Sequence, residues 1–471
     1  MPLQVFIILL YLIATILLGI LAKNKAKSSS SFHGSGLGIL MCVAAGTGEW
    51  LGGTSTTGVS EYGYEFGISG AWYTLANGIG LIVLALLFAK LYRSLETVTV
   101  PGIIEKYTGV NARIVSSILL TFVMIAVGAS QIVAAGTLGS TVFGMDYTTA
   151  VLVMGTGFIL YTLAGGMVAV GYTNIMHIIV MYGGVILAII LTGRTVGDIA
   201  GMRAALPESY FHMTSIGFPK VVSWVIASVL GACTAQAGIQ PILAARDANV
   251  AKKSAVITAF IVAPFGIITA LLGMAARVIF PDLANGKLAL PSLLMNMEPV
   301  AGGIVMASVL AAVLSTISPI ILAAGTMMTN DIYKRVIRPG ASDQDLLFIS
   351  RLTTALAGVV CMLIAIILYD STRILDMVYF AYTLRGSLFI VLLLGIYWKK
   401  TSEKGAVWAM FITGAAGLYW VICKAVNGSY PIHPQLNETY AAVLTALFST
   451  IVFSLLFSNK KQSHCRNIER R

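Results

Sequence analysis

The sequence predicts an all-α polytopic membrane protein of about thirteen spans. Its ten-helix core is expected to be an inverted repeat, with the N-terminus outside and the C-terminus inside. Three observations carry that expectation. The 471 residues are 58% hydrophobic and only 10% charged, where a soluble chain carries about 25% charged residues; mean hydropathy is +0.89. Apolar runs of about twenty residues, enough to cross a bilayer core of about 30 Å, recur along the whole chain. Two of those runs are interrupted at corresponding places. Strict apolar–polar alternation, the signature of a membrane barrel, is missing.

The first run, residues 4–22, has no basic residue before it and no small-residue cleavage signature after it. It reads as a retained span rather than a signal peptide. The expected spans are 3–22, 37–60, 68–92, 113–142, 147–166, 169–192, 219–244, 254–280, 299–329, 345–369, 374–398, 403–426 and 438–458. Loops placed inside, at 23–27, 90–113, 246–253, 334–351, 399–404 and 460–471, hold 22 of the 30 Lys and Arg. This positive-inside bias sets the orientation, and it accounts for the net charge of +11 without a nucleic acid. Four regions follow: 1–27, a leading helix and basic loop; 28–398, the transport core; 399–458, two additional helices; 459–471, a basic tail suited to anionic lipid. Cys42, Cys233, Cys361, Cys423 and Cys465 show no metal or redox spacing and read as small packing residues.

The interrupted runs are GTGEWLGGTSTTG at 46–58 and VLGACTAQAGIQPILAA at 229–245. Counting spans after the first, they fall on core spans 1 and 6. Broken helices at matching positions of two five-helix halves point to a transporter with its site between them at the midplane. Irregular backbone is tolerated at that depth only where it is buried in protein or lines a cavity. Tight helix packing is the competing reason for a single glycine, but not for five glycines among Thr, Ser and Glu.

Ionisable groups at depth are functional candidates, because a centred charge costs roughly 2.5–3.5 kcal/mol on insertion scales. Glu49 and Arg385 stand out; Arg385 lies midway along core span 10, in YFAYTLRGSLF. The two are expected to form an ion pair or gate, or Arg385 to hold a solute carboxylate bidentately. Ala312, Ser315 and Thr316, at i, i+3 and i+4, put a carbonyl and two hydroxyls on one helix face, which suits a hard monovalent cation, the alternative being hydroxyls bonded to their own helix backbone. Gln131, Asn174, His177, Gln236 and Gln240 read as interhelical hydrogen-bonding residues. No H-E-x-x-H, nucleophile elbow, paired intramembrane aspartates or Walker A motif is present. A channel or non-accumulating sensor fits the broken segments less well than alternating access.

Five ordered stretches, VTVPGIIEKYTG, YTLAGGMVAVGYTN, QPILAAR, LAAVLSTISPIILAAGTMMTNDIYK and LLLGIYWKKTSEKGAVWAMFITG, resemble the sodium:solute symporter family, whose members include sodium/proline, sodium/pantothenate and sodium/galactose transporters. The resemblance covers about residues 1–458. It implies a LeuT-type fold of five plus five inverted helices, with an extra helix in front and extras behind. Aligning on GVSEYGY at 58–64, it implies a sodium site from the carbonyls of Gly48 and Leu51, the Ala312 carbonyl and the Ser315 and Thr316 hydroxyls. It implies solute positions at Ser55, Tyr73, Asn77, Cys233 and Gln236. Where the sugar transporters place an aromatic inner gate, this chain has Gln236 and Ala237. Where many members read W-T-D, with the Asp associated with a further cation or proton path, it has Tyr172-Thr173-Asn174; an amide cannot ionise, so one coupled sodium is expected. The expectation is a sodium-coupled importer of a small carboxylate-bearing metabolite in a bacterial cytoplasmic membrane. It is not an enzyme and has no cofactor beyond Na+. Its partners are a small solute and the bilayer, with no nucleic acid and no obligate protein partner. A proton-coupled carrier on the same fold is the alternative.

Overall fold

A computed structural model describes residues 3–23 and 36–457. Among them every regular element is helical, apart from one isolated bridge between Leu37 and Ala245. The leading helix is α1 (Leu3–Lys23). Core span 1 is split into α2 (Ile39–Trp50) and α3 (Val59–Phe66), joined through a π turn at Thr54–Gly58. Gly67, at φ 77°, ends α3, and α4 (Trp72–Val83) and α5 (Ala89–Ser94) form the next span. The short α6 (Val100–Thr108) starts on Thr99, which accepts from Gly102 N at 3.1 Å, with Pro101 in the first turn. There follow α7 (Val110–Phe143), α8 (Tyr147–Val196) and α9 (Asp198–Ala205). Core span 6 is split into α10 (Phe218–Ala232) and α11 (Gln236–Leu243). The remaining helices are α12 (Ala248–Ile279), α13 (Ala289–Met295), α14 (Pro299–Met327), α15 (Asp343–Leu368), α16 (Ile374–Tyr397), α17 (Glu403–Asn427) and α18 (Glu438–Leu456).

Ten helices among the described residues are long and apolar enough to cross a membrane. The other three expected spans fall on shorter apolar helices at Leu3–Thr15, Ile39–Trp50 and Tyr147–Leu163. The turn expected between 166 and 169 is absent. α8 is helical over 50 residues, about 75 Å at 1.5 Å per residue. Gly165 and Gly166 weaken a helix there by roughly 1 kcal/mol each, but no proline ends it. The expected basic tail, 459–471, and most of the first basic loop lie outside the described residues.

α14 is the axis of the bundle: every residue from Val305 to Met327 is buried, and it packs on α7, α8, α1 and α15. At the periphery large apolar side chains such as Phe260, Ile367 and Phe448 are exposed, the face a lipid-embedded bundle presents.

The expected inner loops meet at one end. Arg113 pairs with Glu105 and Asp331, Arg335 pairs with Glu105, and Thr99 donates to Asp331 at 2.8 Å. Arg93 donates to the Ala245 carbonyl, and Asn111 N donates to Glu403 at 2.7 Å. This is the basic end of the bundle. At the opposite end Arg373 pairs with Glu65 at 2.6 Å and Lys220 with Asp376 at 3.3 Å, while Tyr62 donates to Asp376 at 2.6 Å.

Candidate ion and solute site

The helix-1 break is built by close approach. α2 stops at Leu51, whose φ −108° and ψ 74° leave helical geometry. A Cβ on Gly52 would collide with the Gln131 amide and the Thr316 hydroxyl, and one on Gly48 with Asn174 and the Ser315 carbonyl. Only glycine lets α14 and α7 come this near. Gln131 on α7 holds the far side of the break, accepting from Thr54 N at 3.4 Å and donating to Thr54 Oγ1 at 3.2 Å.

The five groups expected around sodium converge there. Thr316 Oγ1 donates to the Gly48 carbonyl. Ser315 Oγ lies 2.8 Å from the Ala312 carbonyl and 3.5 Å from that of Leu51. All are buried, and every donor is an uncharged oxygen. Such a set fits a weakly demanding hard cation, since oxygens suit hard ions and no thiolate or imidazole is present. Asn174 adjoins them and donates from Nδ2 to the Ser315 carbonyl at 3.4 Å.

Beside the ion site, α16 carries Arg385, fully buried. Its guanidinium lies 4.0 Å from the Tyr382 ring centroid and 5.3 Å from that of Trp50. None of its three nitrogens makes a hydrogen bond of ordinary geometry among the described residues, and Glu49 Oε2 and both amide atoms of buried Asn77 are likewise without partners. No ion pair joins Glu49 to Arg385, contrary to expectation: the rings of Trp50 and Tyr382 take the guanidinium instead, a cation–π arrangement. Above Arg385 the rings form a column. Tyr73 stacks on Tyr382 at 6.3 Å with the two hydroxyls 3.2 Å apart, and Tyr379 stacks on Trp224 at 4.2 Å.

Tyr73 and Arg385 are therefore brought together on either side of Tyr382, and Asn77 lies one turn after Tyr73 on α4. Two other expected solute positions are not free to join them. Gln236 spends its amide on the backbone, accepting from Val100 N at 2.7 Å and donating to Val98 O at 3.3 Å. Ser55 donates to Gly52 O at 2.8 Å within its own turn. Cys233 donates weakly to Val229 O, 3.6 Å away. His177 pairs with Tyr11 of α1. Sequence reasoning missed Trp50, Tyr379 and Tyr382. The available signal was spacing: Tyr379 and Tyr382 stand six and three residues before Arg385 on one helix face.

The model of the sodium:solute symporter family matches residues 32–414. This chain belongs to that family. It is 26% identical over 450 residues to the osmoregulated proline transporter OpuE of Bacillus subtilis (strain 168), covering 90% of each chain. It is 27% identical over 407 residues to the sodium/mannose cotransporter SLC5A10 of Bos taurus, covering 75% of this chain and 67% of that one. Its fold is that of a Na+-coupled sialic acid symporter, with a TM-score of 0.79 at 19% identity over 97% of this chain and 98% of the other. MhsT, solved with L-phenylalanine, superposes at a TM-score of 0.56 and 15% identity over 89% and 99%. The protein is thus an all-helical, multi-pass membrane transporter of LeuT type that carries a small solute, not an enzyme.

Proposed function

We propose that this symporter couples one sodium ion to the import of a small carboxylate-bearing solute. Gly48, Leu51, Ala312, Ser315 and Thr316 would hold the ion, and Arg385 the carboxylate. The observation that carries the reading is the convergence of five uncharged oxygens where the helix-1 break meets α14. Sodium bound there ties α2 to α14, favours the state open to the outside, and leaves the solute to bind between core spans 1, 2 and 10. Coupling requires only that sodium prefer one state.

The solute class rests on Arg385. A buried guanidinium without a hydrogen-bonded partner is costly, and a carboxylate would meet it bidentately. The proline carried by several curated relatives has such a group. Tyr73 and Asn77 complete the solute surface, and Glu49 acts as a buried counter-charge. The chain would lie as a multi-pass protein in the cytoplasmic membrane of a bacterium, with the basic end inside. The ten-helix core would be 28–398, and 399–458 would supply two further spans.

Thermal unfolding of the purified protein in NaCl against choline chloride tests the ion site. A ligand at 100 times its dissociation constant stabilises by about 2.7 kcal/mol. The shift is expected in wild type and should vanish in Ser315→Ala/Thr316→Ala; no sodium-specific shift in wild type would turn the reading to protons. A Hill coefficient for sodium clearly above one would overturn the single-ion stoichiometry drawn from Asn174.

A further inference from the structure

We infer that Trp50 is the gate between the solute site and the basic end, and that the solute leaves along the crevice beneath it. The direction of traffic rests on the transport reading above; the gate itself rests on geometry. Trp50 is the last residue of α2, one residue before Leu51 at the ion site. One side of its ring meets the solute site, edge-on to Tyr382 at 6.3 Å and next to Arg385. Its other side borders a narrow crevice lined by Cys42, Gly46, Leu81, Gly238 and Thr258. Cys42, Gly46 and Trp50 are four residues apart, so one face of α2 runs from the solute site toward the Leu37–Ala245 bridge at the basic end.

Two observations show how the ring is held. A Cβ on Gly238 would lie 3.1 Å from it, so α11 presses on Trp50 with bare backbone. Among the described residues the indole N–H has no acceptor. Packing and ring contacts alone hold the side chain, and no hydrogen bond need break for it to swing. Lower down, Cys42 Sγ donates to Pro241 O at 3.3 Å, again joining α2 to α11. The two helices therefore close the crevice along a single line, with Trp50 at the top. Gln236, at the start of α11, is tied to the backbone at Val98 and Val100 and is not free to cover the crevice. The aromatic residue bordering the crevice is therefore Trp50 of core span 1, next to Leu51.

The test compares maleimide modification of Cys42 and Cys361 in the purified full-length protein, read by mass spectrometry. Both thiols are buried, but Cys361 donates to Ile125 O at 3.3 Å, away from the crevice. Trp50→Ala should label Cys42 at least about tenfold faster with Cys361 unchanged, and Trp50→Phe should stay near wild type. Cys42 labelling in Trp50→Ala that is no faster than wild type would overturn the gate. If both thiols accelerate together, the protein has loosened, and Gly238→Ala decides, since its methyl displaces the ring without emptying the core. Selective acceleration of Cys42 there supports the gate, and its absence overturns it. The labelling requires neither sodium nor solute, so a wild-type sodium shift with an unresponsive Cys42 would leave the transport reading standing and remove only the gate.

Discussion

At the basic end Arg113, Glu105 and Asp331 are 0–17% exposed, and they tie α6 and α7 to the π-helical continuation of α14 at Met328–Ile337. At the opposite end Lys220, Asp376, Arg373 and Glu65 are 26–42% exposed, and they tie α10, α16 and α3. The first set touches neither broken helix. The second joins halves of both, core spans 1 and 6, to core span 10. Buried pairs cost roughly 3–5 kcal/mol to break by removing one partner, whereas exposed ones are worth about 0–1 kcal/mol. On the alternating-access reading, strong ionic bonds would fix elements that keep their places, and weak ones would close elements that have to part. Where the broken helices close at the basic end, backbone serves instead: Leu37 N donates to Ala244 O and Arg246 N to Leu37 O, each at 2.9 Å.

The largest effect is expected from Asp331→Ala, which strands Arg113: about 3–5 kcal/mol of stability should be lost, read as a collapse of folded yield or melting temperature in detergent. Arg385→Gln comes next. It should leave the sodium-induced shift intact but raise the half-saturating solute concentration more than a hundredfold, roughly the 3 kcal/mol of a buried charged hydrogen-bonded pair; an unchanged affinity would sink the carboxylate assignment. Asp376→Asn should cost under about 1 kcal/mol of stability while changing the rate of exchange across the membrane, with high salt reproducing part of the effect in wild type. Equal losses in Asp331→Ala and Asp376→Asn would erase the distinction between the two ends.

The smallest effect concerns Glu105. Burial alone would raise its carboxyl, but hydrogen bonds from Arg113 and Arg335 hold it below its ordinary value of 4.5. A folded value below the unfolded one stabilises fully above 4.5 and is lost as pH falls through the lower folded value. Melting temperature should therefore drop on acidification below about pH 4.5 by more in wild type than in Glu105→Gln.

Chemistry that is local in sequence was legible. Glycines and hydroxyls announced both breaks, and the i, i+3, i+4 pattern put Ser315 and Thr316 on the face that meets Gly48 and Leu51. Depth along a span was legible too, which singled out Glu49 and Arg385. Direction around the helix was not: the expected adjacency of core spans 1 and 10 suggested a pair, but the Arg385 side chain lies over Tyr382. Gln236 looked available because its partners, Val98 and Val100, stand more than 130 residues away. Trp50 drew no reading of its own, since an indole in an apolar run carries no sign of which cavity it borders. The continuity of α8 was hidden because two glycines resemble a turn when no cap is visible.

The Asn174 amide beside Ser315 bears on the energetics of accumulation. One sodium entering with a solute of net charge −1 moves no net charge, so membrane voltage does no work on that cycle, whereas a zwitterion such as proline would bring in the charge of its sodium. Enrichment of the anion then stops at the sodium concentration ratio. A carboxylate at this position that admitted a second sodium would move one charge per cycle, adding about 2.3 kcal/mol per 100 mV, or about a further fiftyfold in concentration, besides squaring the sodium term. For an anionic solute, one side-chain atom, nitrogen in place of oxygen, would then decide whether the cell's voltage or only its salt gradient drives uptake, and Asn174→Asp should convert a voltage-blind carrier into a voltage-driven one.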